Sequence, residues 1–204
     1  MKKINLIKKF KSSNICIILI ILIIITGKSF VFVNADNGDS IEVVCSKALV
    51  DLKIMRGDEK GNLNLQNKVT RREMIALINR MMAYDCEIDN DELITLDTIP
   101  FKDVNQKDWA YKDYVIALNH SLIKGYTDNT LRPNNYISLA EANALIIRAL
   151  GYENIINKEW PDGIMEKSNE LELNINLNAA ADKLLTRGEA SIIIYNALTV
   201  KFFE

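Results

Sequence analysis

The sequence predicts an all-α protein made of three helix–loop–helix repeats closed around a pseudo-threefold axis. Three helix-start signals, at Thr70, Ser138 and Thr186, are each followed three residues later by a Glu, which is the pattern of a capping box. A shorter amphipathic pattern and a polar loop precede each signal. One such unit has too little apolar surface to be stable alone, so the copies must pack on each other. An open solenoid is the alternative, but closure buries all three second helices without capping repeats.

An ungapped register establishes the repeat. Shifting the Ser138 box back by 68 positions superposes it on the Thr70 box, and shifting it forward by 48 positions superposes it on the Thr186 box. The three second helices then carry apolar residues at the same five places: Met74, Leu77, Ile78, Met81 and Met82; Ala142, Leu145, Ile146, Ala149 and Leu150; Ala190, Ile193, Ile194, Ala197 and Leu198.

Glycine and asparagine predict where several helices end. We expect the first helix of repeat one to stop at Gly57, and that of repeat two to run from Asp108 as N-cap to Gly125 as left-handed C-cap. In repeat three, Asn174 is expected to supply the left-handed residue. Gly151 ends the second helix of repeat two. The predicted organisation is repeat one at 36–86, an acidic linker at 87–100, repeat two at 101–152 and repeat three at 153–204.

The first 35 residues have the layout of a secretory signal peptide. Five lysines and no acid lie within residues 1–14, an apolar run follows from Ile15 to Ile25, and small residues precede a cleavage site after Ala35. The apolar run is short for a membrane span, and Lys28 interrupts its extension. We therefore favour cleaved export over an uncleaved anchor, and expect no membrane contact afterwards.

Removing this segment makes the chain acidic. The segment holds six of the 25 Lys and Arg residues and none of the 27 Asp and Glu residues, so 19 basic and 27 acidic residues remain, a net charge of −8. Nucleic acid and anionic membranes would meet net repulsion, and we expect neither as a partner. An anionic polymer can bind only through locally placed Arg or Lys.

Two cysteines follow the segment, Cys45 and Cys86. They lie at adjacent ends of the hairpin predicted for repeat one, so a disulfide is conceivable. Cys45 also falls on the apolar face of its helix, which favours a buried free thiol.

The central string, with FKD, WA and IKGYTDNTLRPN before a Ser-x-x-Glu helix start, resembles the S-layer homology (SLH) repeat. The flanking copies are similar to it through VTRRE and LTRGE. The resemblance implies a compact helical spindle at the bacterial surface, in the cell wall or S-layer. It further implies non-covalent binding of secondary cell-wall polysaccharide, often pyruvylated, in grooves between repeats of a monomeric pseudo-trimer.

The resemblance also implies the binding residues. Arg71 and Arg187 match the groove arginine of the family, whereas Leu139 occupies that position in the central copy. At most two of the three grooves are therefore expected to carry it. The other predicted polysaccharide-binding residues are Thr70, Glu73, Asp103, Trp109, Gly125, Thr186 and Glu189. Trp160 is the expected replacement for Trp109 in repeat three.

Simpler structural roles compete with these assignments. Helix capping is enough to explain the Thr and Glu residues of the boxes. Capping places no requirement on the residue directly after the N-cap, and the helix dipole disfavours a cation there. Arg71 and Arg187 are therefore the informative residues, and we interpret both as binding residues. We interpret Trp109 as mainly a core residue. Tyr126 and Tyr136 are equally compatible with packing and with sugar contact.

Catalysis finds little support in the sequence. The single histidine excludes a histidine-rich metal cluster, and no Gly-x-Ser-x-Gly elbow or phosphate loop is present. We expect a non-enzymatic protein without a cofactor or metal. The alternative function is a secreted module whose repeats have lost sugar binding and dock another envelope protein.

The mature protein is predicted to begin at Asp36. Signal peptidase cuts after a small residue that follows the apolar segment, and Ala35 fits that position. N-terminal sequencing or intact mass of the envelope form gives the answer, and a mature start at Met1 contradicts the prediction.

Overall fold

A computed structural model describes residues 38–84 and 99–203. The expected signal peptide, Asp36, Cys86 and most of the acidic linker lie outside these residues. The described chain is all-α, as predicted. Its helices are α1 (Ile41–Asp51), α2 (Arg71–Met81), α3 (Tyr111–Asn119), α4 (Leu139–Ala149), α5 (Asp162–Glu170) and α6 (Arg187–Ala197), with a 3₁₀ turn at Tyr152–Ile155. Within these ranges, every helix is too short or too polar to cross a bilayer.

The predicted capping boxes begin all three second helices, α2, α4 and α6. The backbone N–H of Thr70 donates to the carboxylate of Glu73 at 2.8 Å, and the corresponding distances at Ser138 and Thr186 are 3.0 and 2.9 Å. Each box satisfies helix N-terminal donors that would otherwise lack a partner. Gly151, at φ +86°, follows the end of α4 as expected.

The expected ends of the first helices at Gly57, Gly125 and Asn174 are wrong, because each helix ends earlier, before a left-handed residue that is neither glycine nor asparagine. The left-handed residue is Lys53 after α1, Ser121 after α3 and Glu172 after α5, with φ of 62°, 57° and 60°. In each case the next residue is apolar, and its N–H bonds to the carbonyl five positions earlier: Ile54 to Leu49, Leu122 to Ala117, and Leu173 to Ser168. All three ends are Schellman motifs.

The glycine predicted to cap α3 has another role. Gly125 lies in the loop after the helix, at φ +67°, where the ring of Phe101 packs against it. The start of α3 is also later than expected, since the helix begins at Tyr111. Asp108 instead accepts a hydrogen bond from the N–H of Ala110 at 3.0 Å in the preceding turn.

A ring of backbone hydrogen bonds joins the three repeats. The N–H of Val69 donates to the carbonyl of Leu185 at 2.9 Å, that of Leu185 to Ile137 at 3.0 Å, and that of Ile137 to Val69 at 3.1 Å. All three residues are completely buried. Helices α2, α4 and α6 also contact one another in all three pairings, whereas an open stack would separate the first and the third. These contacts favour closure, and the pseudo-threefold axis itself stays a prediction.

Each second helix begins on the loop of another repeat. The N–H groups of Arg71, Leu139 and Arg187 donate to carbonyls of Asn135, Lys183 and Asn67, at 2.8 to 2.9 Å. The first residue of each helix is therefore held against a neighbouring repeat, and its side chain enters the junction between the two.

Cys45 is a buried free thiol, and burial raises its pKa to about 11. A thiol with so high a pKa is largely protonated and unreactive at neutral pH. This is the state that the sequence favoured for Cys45.

Gly125→Ala is expected to destabilise the fold by at least about 2 kcal/mol, because two costs add. An alanine is strained in the left-handed backbone conformation of this position, and its Cβ overpacks the contact with Phe101. An added Cβ would lie 2.2 Å from a ring carbon of Phe101. Gly61→Ala is the matched control, since Gly61 has φ +81° but open space around it, so only strain applies. Urea unfolding of both variants measures the difference, and equal losses would contradict the role of the Phe101 contact.

Candidate functional site

At two of the three junctions, the first side chain of a second helix pairs with the capping-box glutamate of a neighbouring repeat. A guanidinium nitrogen of Arg187 lies 3.3 Å from the carboxylate of Glu73, and one of Arg71 lies 3.5 Å from that of Glu141. Leu139, at the third junction, cannot pair with Glu189. The three junctions have the same backbone but differ in the charge that enters them.

Arg187 is held in place by three contacts. Besides Glu73, its Nε donates to the carbonyl of Leu63 at 3.0 Å and its Nη2 donates to that of Arg56 at 3.1 Å. A guanidinium carries five N–H groups, so these contacts leave one on each terminal nitrogen. The side chain is 14% exposed. Arg187 therefore ties repeat three to the loop of repeat one and still presents two donors.

Arg71 is covered by its neighbouring loop. Its guanidinium lies 5.2 Å from the ring centroid of Tyr126, and that of Arg132 packs on the same ring at 3.8 Å. The hydroxyl of Tyr126 donates to Glu141 at 2.5 Å. Arg71 is 8% exposed, and its buried Nε has no hydrogen-bond partner within residues 38–84 and 99–203. The second junction is thus filled by side chains of the protein.

The pKa values at this junction follow from its burial. Burial, and then the hydrogen bond to Glu141, raise the pKa of Tyr126. Burial opposes ionisation of Glu141 as well, but hydrogen bonds from Ser138 and Tyr126, together with the charge of Arg71, lower its pKa overall. Glu141 is therefore ionised and Tyr126 neutral at physiological pH.

At the third junction a lysine takes the place of the missing arginine. The ammonium of Lys183 contacts the carboxylate of the buried Glu189. Lys183 occupies the position at which repeats one and two carry Asn67 and Asn135. Its side chain is 43% exposed. Sequence reasoning missed this residue, although the 48-residue shift aligns it with Asn135.

An open groove lies at the junction that contains Arg187, and we call it the first groove. It has two adjoining lobes that share Asn67, Lys68, Glu73 and Trp109. The arginine lobe, of about 320 Å³, adds Arg187, Arg56, Asp58, Asn62 and Arg80 among others. The tyrosine lobe, of about 510 Å³, adds Gln66, Thr70, Arg72 and Tyr136.

Trp109 lines both lobes and is 57% exposed, so its interpretation as mainly a core residue is wrong. The guanidinium of Arg72 lies 5.8 Å from its ring centroid, on a side chain that also pairs with Asp108 at 3.6 Å. Trp160 is equally exposed but lines neither lobe.

The first groove is locally basic in an acidic chain. Its two lobes are lined by five basic residues and two acidic ones, Asp58 and Glu73. Asp58 is engaged within its loop, where hydrogen bonds led by those from the Asn62 backbone and the Asn64 side chain lower its pKa. An anionic group would therefore meet a favourable local field here.

The other predicted site residues shape the loops. The carboxylate of Asp103 accepts the backbone N–H groups of Leu131 and Arg132, both at 2.8 Å, and Gly125 makes room for Phe101. Thr186 and Glu189 form the cap at the third junction. Of the nine predicted residues, the structure brings Thr70, Glu73, Trp109 and Arg187 together in the first groove.

Comparison with known proteins agrees with this architecture. The S-layer homology domain family matches at residues 47–75 and 100–142, within repeats one and two. The chain carries S-layer homology repeats. Repeat three lies outside both segments, and its assignment rests on the register and on its structure.

Curated relatives of the chain are surface proteins. It is 32% identical over 152 residues to a "Cell surface protein" of Thermoanaerobacter kivui, covering 74% of this chain and 19% of the relative. It is 29% identical over 160 residues to a "Surface layer protein" of Brevibacillus choshinensis, covering 78% of this chain and 14% of the relative. The chain thus spans less than a fifth of these relatives. Together with the SLH match, they identify a cell-surface, cell-wall-associated protein, as the sequence predicts.

Lys183→Asn is expected to destabilise the fold by about 1–2 kcal/mol, because it leaves the buried carboxylate of Glu189 without its cation. Adding Leu139→Arg to this variant restores the arrangement at the other two junctions and should recover most of the loss. Lys158→Asn is the control, since its ion pair with Glu166 is exposed and should contribute little. Thermal unfolding of the four proteins tests this. A Lys183→Asn variant as stable as the control would contradict the assigned role.

Proposed function

We propose that this chain attaches to the cell wall by binding secondary cell-wall polysaccharide in the first groove. The observation that carries the proposal is the open groove in which Arg187 and the exposed Trp109 line one lobe. An indole face offers an apolar surface to a sugar ring, and the guanidinium offers paired donors to an acidic substituent. The acidic chain has no general attraction for an anionic polymer, so this local cluster must provide it.

A pyruvyl ketal is the substituent that the arginine lobe fits best. Its carboxylate is planar and can accept two parallel hydrogen bonds from a guanidinium, which an ammonium group cannot reproduce. Among the described residues, the three contacts of Arg187 leave one N–H on each terminal nitrogen without a partner and hold the guanidinium in place.

The three junctions contribute unequally in this proposal. Arg71 lies beneath Tyr126 and Arg132, so a ligand would have to displace a buried hydrogen bond to reach it. We therefore assign polysaccharide binding mainly to Arg187, whereas the sequence suggested equal roles for the two arginines. Arg71 acts chiefly as a tie between repeats one and two.

Arg187→Lys is expected to weaken binding of ketal-bearing wall polysaccharide by about tenfold or more, since the charge remains but the paired hydrogen bonds are lost. Isothermal titration calorimetry with purified polysaccharide, before and after removal of the ketal by mild acid, measures the effect. Removal of the ketal should weaken the wild type and leave Arg187→Lys almost unchanged.

Arg148→Lys provides the matched control. Arg148 also joins a carboxylate, Glu153 at 2.8 Å, to a backbone carbonyl, that of Leu122, but it lies outside the first groove. The Arg148→Lys variant should be less stable than the wild type but should bind wall polysaccharide with the same affinity. If the Arg187→Lys variant bound the polysaccharide with wild-type affinity, the proposed role of Arg187 in binding would be contradicted. A wild type that bound no polysaccharide would favour the alternative, a module that docks another envelope protein.

A further inference from the structure

The tyrosine lobe of the first groove is larger than the arginine lobe, and Arg187 does not line it. Its wall combines two half-exposed aromatic rings, Trp109 and Tyr136, with the cations Lys68 and Arg72. A single exposed aromatic side chain is ordinary on a protein surface, but two that line the same cavity are informative. The binding of one acidic sugar to Arg187 leaves this surface unused.

The junction of the repeats brings these side chains together. Tyr136 forms an isolated β-bridge with Thr70, which places a residue of repeat two beside the cap of repeat one. Lys68 lies two positions before that cap, and its ammonium is 5.5 Å from the ring centroid of Tyr136. The cluster therefore rests on the same backbone pairing that closes the fold.

The chemistry of the lobe suits a neutral, hydroxyl-rich ring. Aromatic faces remove the apolar side of such a ring from water, while donors at the edge bind its oxygens. Lys68 makes no ion pair with another described residue, so all three of its N–H donors are available to a ligand. Arg72 is already paired with Asp108 and mainly covers the indole of Trp109.

We propose that the tyrosine lobe is a second sugar subsite, which holds the unit adjoining the acidic sugar bound in the arginine lobe. The two lobes share Trp109, Lys68 and Glu73, so a continuous chain can pass from one to the other. The inference rests on the proposed function and deepens it. The first groove recognises a segment of the polysaccharide rather than a single terminal sugar.

The repeat itself explains why this subsite occurs at one junction. The position two residues before each cap is Lys68 in repeat one, Tyr136 in repeat two and Leu184 in repeat three. Each bridges to the cap of a neighbouring repeat, so a lysine and a tyrosine meet only beside Thr70. Leu184 bridges to Ser138 and brings neither an aromatic ring nor a charge.

Two synthetic probes separate the lobes. One is the methyl glycoside of a hexose with a 4,6-O-pyruvyl ketal, and the other is a disaccharide that carries the same ketal sugar at its non-reducing end. We expect the wild type to bind the disaccharide at least about tenfold more tightly. Tyr136→Ala should reduce disaccharide affinity about fivefold to tenfold and leave monosaccharide affinity unchanged, because Tyr136 lines only the tyrosine lobe. Lys68 lines both lobes, so Lys68→Ala should weaken binding of both probes, and of the disaccharide more.

Leu184→Ala is the control, since it truncates the equivalent position outside the groove and should behave as the wild type. Equal wild-type affinity for the two probes overturns the second subsite while leaving the proposed function intact. The same holds if Tyr136→Ala weakens both probes equally, because the effect would then not be confined to the tyrosine lobe. If the wild type binds neither probe, both the proposed binding of the ketal by Arg187 and the second subsite are overturned.

Discussion

The fold depends on the buried ring of backbone hydrogen bonds among Val69, Ile137 and Leu185. A buried N–H or carbonyl without a partner costs about 1–3 kcal/mol. In the ring, each repeat donates its N–H to one of the other repeats and accepts at its carbonyl from the remaining one. Removing any repeat leaves one donor and one acceptor of the ring unpaired. Closure is therefore more than a way to bury α2, α4 and α6, because it also completes the hydrogen bonding of the strand-like segments before them.

The same ring determines where function can arise. It fixes the first residue of each second helix against the loop of a neighbour, so the side chain at positions 71, 139 and 187 always enters a junction. Evolution at these positions can change the junction without moving the backbone. Arg71 lies under Tyr126, Lys183 replaces the cation that Leu139 cannot supply, and only Arg187 opens onto a groove beside an exposed tryptophan. One architecture thus carries three different electrostatic environments.

Sequence reasoning predicted the second helices well and the junctions only in part. Capping boxes and apolar stripes are local signals, so the starts of α2, α4 and α6 follow directly from Thr70, Ser138 and Thr186. The first helices are followed by the left-handed residues Lys53, Ser121 and Glu172, and a buried apolar residue after each one stabilises the Schellman motif without glycine. Lys183 and the exposure of Trp109 depend on contacts between repeats, which no single repeat encodes.

Arg187 also shows how a structural tie prepares a binding group. Its three contacts hold the guanidinium still before any ligand arrives, so little side-chain entropy remains to be lost on binding. Lys183 has the opposite character, since it is a single charge on a flexible stem that contacts only Glu189 among the described residues. A carboxylate that approached Lys183 would compete with Glu189 for that charge and could not form the two parallel hydrogen bonds that a guanidinium offers. The proposed selection of an acidic sugar therefore rests on Arg187, the cation that its contacts with repeat one already hold in place.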